Sequence, residues 1–112
     1  MSKQSLQGNG TVMATADLLE RELPAHAISC TLVDSMYRRI GGVEVCTLVF
    51  EKYYMRAKNR VSLTAVICGS DNTVFVDLIG AGGGQGPLLS LSWGSEGSFV
   101  DEAIRCLQRN GF

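Results

Sequence analysis

Apolar residues change their spacing several times along the chain, and each change marks an element. Val12, Ala16, Leu19 and Leu23 recur at intervals of four, three and four, with Asp17, Glu20, Arg21 and Glu22 mostly on other faces. This spacing predicts an amphipathic helix starting near Thr11. Thr11 or Thr15 would cap its start, and Pro24 marks its expected end, because the residue before a proline is pushed out of the α region. Ahead of the helix, Lys3 to Gln7 carries a faint strand pattern closed by the turn Gly8-Asn9-Gly10. After His26 the period becomes two, with Ile28, Cys30 and Leu32 on one face of a predicted strand and Arg38 to Gly42 as a turn region.

Val43 to Met55 reads as a long strand that is apolar on both sides, with Val43, Val45, Val49 and Tyr53 in one phase and Leu48 and Phe50 in the other. Arg56 to Asn59 is polar enough to reverse the chain. Val61, Leu63, Ala65 and Ile67 then alternate cleanly, Gly69-Ser70-Asp71-Asn72 has the side-chain chemistry of a hairpin turn, and Val74, Val76 and Leu78 form a strand running into glycines. Leu89, Leu91 and Trp93 suggest a last strand. Phe99, Val100, Ala103, Ile104 and Leu107 make the stripe of a C-terminal helix, with Ser98 and Asp101 as a capping box and Gly111 as its stop.

Strands joined by short turns pair antiparallel. The expected fold is therefore α+β, a single domain over residues 1–112. It consists of one curved antiparallel β-sheet of four to six strands in β-α-β4/5-α order, with the N-terminal and C-terminal helices packed on one face. If the helices cover Val43, Val45, Val61, Leu63, Ile67, Val74 and Val76, the other face presents Leu48, Phe50, Val66, Phe75 and Ile79. Two helices cannot cover both faces, so this second set is expected to be an interface, with a homodimer as the expected state and another protein or an apolar ligand as alternatives.

At 112 residues, 46% hydrophobic and 19% charged, the composition is that of one packed domain and not of a disordered segment. A formal charge of -1 points away from nucleic acid on totals, although Arg38 to Arg60 holds six basic residues against two acidic ones. Tyr37, Tyr53 and Tyr54 lie in or beside that basic segment and could stack unpaired bases, but strands favour tyrosine in any case. Cys30, Cys46, Cys68 and Cys106 are separated by 15, 21 and 37 intervening residues, and His26 is the single histidine. That spacing offers no zinc pair and no redox motif. No apolar run reaches the roughly 20 residues of a membrane span and no signal peptide precedes the fold, so a reducing cytoplasm is the expected location.

Five of the thirteen glycines fall between Gly80 and Gly86. No Gly-Lys-Ser/Thr closes the stretch and the spacing is not GxGxxG, which argues against a nucleotide loop. A wide hairpin, bulge or flap is the ordinary reading. Alternate turns of a meander share one end of the sheet, so Arg56 to Asn59 should lie beside Gly80 to Gly86. There Arg56, Lys58 and Arg60 would bring positive charge to the open amides of Gly82, Gly83, Gly84 and Gln85, a combination suited to a small anion. Catalysis has little footing. Asp77 and Glu51 are conceivable as a base or as paired carboxylates, His26 sits where it would cap a helix, and neither catalytic residue, cofactor nor metal is assigned.

The stretches Phe50-Glu51-Lys52-Tyr53-Tyr54-Met55, Asn59-Arg60-Val61-Ser62-Leu63 and Gly82-Gly83-Gly84-Gln85-Gly86 resemble an uncharacterised family of short proteins from Gram-positive, largely clostridial, bacteria. That resemblance implies a small cytoplasmic bacterial protein and no mechanism. The order of elements also resembles TATA-binding-protein-like and helix-grip folds, which supply no function by analogy. The chain reads as a non-enzymatic binding or interaction module that self-associates through its sheet, with an anion or small-ligand site at the glycine-rich loop. The alternatives are a helix-grip-like domain holding an apolar ligand and, further off, a small enzyme using Asp77 or Glu51.

Overall fold

The computed structural model describes residues 2–27, 29–54, 59–82 and 95–112. Its elements run β1 (Ser2–Asn9), α1 (Val12–His26), β2 (Cys30–Ile40), β3 (Val43–Tyr54), β4 (Asn59–Ser70), β5 (Thr73–Gly82) and α2 (Ser95–Arg109). The five strands form one antiparallel sheet in the order β1-β5-β4-β3-β2. β1 and β2 therefore lie at opposite edges, although only α1 separates them in sequence, and α1 crosses the sheet between them.

The Thr11 side chain accepts from the Ala14 N–H at 3.1 Å, as expected of an N-cap. Val12, at the first turn of α1, packs over Gly69, where an added Cβ would come within 3.1 Å of the valine and 2.6 Å of the Thr73 carbonyl oxygen. The β4–β5 hairpin turns through Asp71 and Asn72 at φ 52 and 65. Left-handed angles at both central positions match the twist of paired strands, and Asp and Asn tolerate them best after glycine.

Along β4, Val61, Leu63, Ala65 and Ile67 are buried while the residues between them are not. The same face carries Cys46, Leu48 and Phe50 of β3 and Val74, Val76 and Leu78 of β5, packed with Val12, Leu19 and Leu23 of α1 and Phe99, Ala103 and Leu107 of α2. Phe50, Phe99, Leu63 and Leu78 have 0% exposure and fill the space between sheet and helices.

Several expectations are corrected. Leu48 and Phe50 belong to the buried face, and Val43 and Val45 to the outer one, because the ladder sets Phe50 opposite Leu63 and Leu48 opposite Ala65. Opposed residues of a ladder share a face. Of the five expected interface residues, Val66, Phe75 and Ile79 lie on the outer face, and Leu48 and Phe50 are core. α1 runs through Pro24 to His26, since a proline in the last turn removes only its own N–H and leaves the Ala27 N–H to Leu23 carbonyl bond intact at 3.0 Å. β2 continues to Ile40, so the turn is only Gly41-Gly42. β5 extends to Gly82, making Gly80 and Ala81 strand residues. α2 starts at Ser95, which places Ser98 inside the helix and not at its cap. Ile28 and the expected strand Leu89 to Trp93 lie outside the described residues.

Candidate functional site

Among the described residues, two regions bear on the expected chemistry and the expected interface. The first is the end of the sheet where β3 leads toward β4 and β5 runs out. Cys30, Lys52, Val61 and Gly82 stand in one cross-strand row on the buried face there. Lys52 continues the even-numbered phase of Leu48 and Phe50 and is only 7% exposed. Its ammonium pairs with Oε1 of Glu102 in α2 and lies 5.7 Å from the Phe99 ring centroid. The other carboxylate oxygen, Oε2, is buried and has no hydrogen-bond partner among the described residues. Burial pushes the Cys30 thiol up to about 11, with Lys52 pulling it down and Glu102 pushing it further up. A neutral buried thiol is a weak nucleophile, so this row fits structural packing better than thiol chemistry. Sequence reading missed the Lys52–Glu102 pair, yet a signal was present: a lysine continuing an apolar phase is a lysine that needs a buried anion.

Arg60 occupies the outer face at this end. Its guanidinium reaches Oε1 of Glu51 at 3.4 Å and lies 6.0 Å from the Tyr53 ring. Gly82, at φ 95, sits so near the chain that an added Cβ would meet the Arg60 carbonyl oxygen at 2.8 Å. Arg60 and Gly82 are thus brought together, whereas Arg56, Lys58, Gly83, Gly84 and Gln85 lie outside the described residues. Glu51 and Asp77 share the outer face but not a site. They are two strands and four residues apart, roughly 16 Å by strand spacing and rise, and Asp77 accepts from the Ser5 hydroxyl at 2.6 Å. Among the described residues no group of three or more His, Cys, Asp or Glu is placed to hold a metal ion. No helix among them is long and apolar enough to cross a membrane.

The second region is the outer face of the β2–β3 hairpin. From Thr31 to Ile40 every residue of β2 is exposed. An extra residue at Val33 interrupts the ladder with β3, after which Asp34 faces Val49, Met36 faces Thr47, Arg38 faces Val45 and Ile40 faces Val43. Met36, Ile40, Val43, Val45 and Thr47 line an apolar groove of about 180 Å³ together with Tyr37 and Arg38. Ile40 is 74% and Met36 59% exposed. Tyr37 projects to the opposite face, where its hydroxyl donates to Glu44, and that bond raises the phenol's pKa. The apolar patch continues across the sheet through Val45, Cys68 and Phe75, which stand side by side in one row.

The sequence profile of the Family of unknown function (DUF6054) matches residues 1–111, and the chain belongs to that family. No curated protein matches it.

Proposed function

We propose that the chain is a non-enzymatic binding module that self-associates through its sheet. The observation that carries this reading is the asymmetry of the β2–β3 hairpin. Its buried face is rooted in the core through Leu48 and Phe50, while its outer face offers Met36, Ile40 and Val43 to solvent. Aliphatic side chains gathered in one patch gain from leaving water, and a second protein surface is the usual way to achieve it. The space between sheet and helices is filled by side chains with 0% exposure, which supports an interaction surface over a helix-grip pocket. The test is sedimentation equilibrium of the wild type beside the double variant Met36→Ser/Ile40→Ser. The wild type should associate as concentration rises, and the variant should remain a monomer whose melting temperature matches that of the wild type at dilutions where the wild type is itself monomeric. Association that survives both substitutions would contradict the reading.

A further inference from the structure

We infer that the partner is a second copy of this chain, joined edge to edge through β2 in an antiparallel register centred on Met36. The inference rests on the self-association proposed above and specifies its geometry. Among the described residues β2 is an edge strand of the sheet, and no described strand pairs with the outer side of its backbone. An unshielded edge of this kind is a template for another strand. Two copies related by a two-fold axis perpendicular to the sheet keep their helices on the same side.

Such an axis restricts the register. Directly opposed residues must share a face, and beyond the Val33 irregularity the faces alternate without interruption from Asp34 to Ile40. Only registers that set a residue opposite its own copy satisfy this. Centred on Ser35, Asp34 would face Met36. Centred on Tyr37, Asp34 would face Ile40, and Arg38 would face Met36. Centred on Arg38, two guanidinium groups would meet. Centred on Met36, Asp34 of each copy faces Arg38 of the other on the outer face, and the symmetry makes that pair twice. This is the one register of the four in which the charges on the edge complement each other.

The charges are also available for it. Asp34 and Arg38 are exposed, and among the described residues neither takes part in an ion pair within the chain. Asp34 is engaged only locally, its carboxylate accepting the Ser35 backbone N–H at 2.8 Å. Pairing would give up that local bond for the ladder bonds of two strands and two ion pairs. It would also pack Met36 against its own copy at the axis, which takes that exposed side chain partly out of water, and set the two apolar grooves side by side on a ten-stranded sheet.

Charge reversal tests the register directly. At a concentration where the wild type is a dimer, Asp34→Arg and Arg38→Asp each oppose like charges twice, and each should weaken association at least tenfold. The double variant Asp34→Arg/Arg38→Asp restores opposite charges in the Met36-centred register and should recover the dimer. Circular dichroism melts confirm folding of all three, since both positions are exposed. A dimer that ignores the single reversals, or single variants that the double reversal does not rescue, would overturn the edge register while leaving self-association standing. A wild type that stays monomeric at every concentration would overturn both.

Discussion

The two edges of the sheet are built from different material. β1 is eight residues long and reads SKQSLQGN. Its Ser5 hydroxyl bonds Asp77 on the neighbouring strand, and Leu6 packs against the core. β2 is eleven residues long and reads CTLVDSMYRRI, with only its first residue buried. Polar side chains and a short length are common ways of making an edge unattractive to other strands. β1 has both features, together with contact to α2. β2 instead shows Met36, Tyr37 and Ile40 to solvent, and its single irregularity at Val33 lies near its root and leaves seven residues in clean alternation. One edge is finished against solvent and the other is suited to continuation.

The contrast can be broken most severely through stability. Leu6→Ala removes a half-buried side chain that ties β1 to the core and should cost about 2 kcal/mol, the low end for truncated leucines. Ile40→Ala on β2 should fall within about 0.5 kcal/mol of the wild type, as exposed substitutions do. Urea unfolding at a concentration low enough to keep the protein monomeric measures both. Equal losses at the two sites would mean that β2 is more deeply tied to the fold than its exposure indicates.

A smaller effect probes the root of β2. The Cys30 thiol ionises at about 11 in the fold against an ordinary value of 9.0, because burial disfavours the thiolate. The folded state therefore holds its proton where the unfolded chain has lost it. The resulting stability is complete below pH 9 and is lost between about pH 9 and pH 11. Burial shifts Cys46 and Cys106 in the same direction, so Cys30→Ala should make the alkaline fall in stability shallower without abolishing it. An unchanged pH profile in that variant would show that Cys30 is reached by water in the native protein.

Much of this architecture was legible in the sequence because burial there is one-sided. β4 alternates strictly, α1 repeats at three and four, and Asp71-Asn72 can hardly be anything but a turn. β3 was not legible in phase. Val43, Val45 and Val49 on one side and Leu48 and Phe50 on the other are equally apolar, and only the ladder with β4 decides between them. Lys52 could have decided it earlier, since its long stem and single charge suit a buried position only when an anion such as Glu102 is brought to it from another element. Pro24 reads as a stop on local sterics alone, but the burial of Leu23 holds the last turn of α1. Of the expected anion site, Arg60 and Gly82 are adjacent as meander geometry requires. The groove at Met36 and Ile40 is hidden in the sequence because Arg38 to Gly42 has the composition of a turn, whereas Arg38 to Ile40 are strand residues.

The central claim is that β2, and not β1, is the edge that joins copies. The most direct measurement compares one charge reversal on each edge, Arg38→Asp on β2 and Lys3→Asp on β1, by sedimentation equilibrium at a single concentration where the wild type is dimeric. The account predicts a monomer for Arg38→Asp and an unaltered dimer for Lys3→Asp. A dimer that survives Arg38→Asp, or that dissociates equally in both variants, would contradict it.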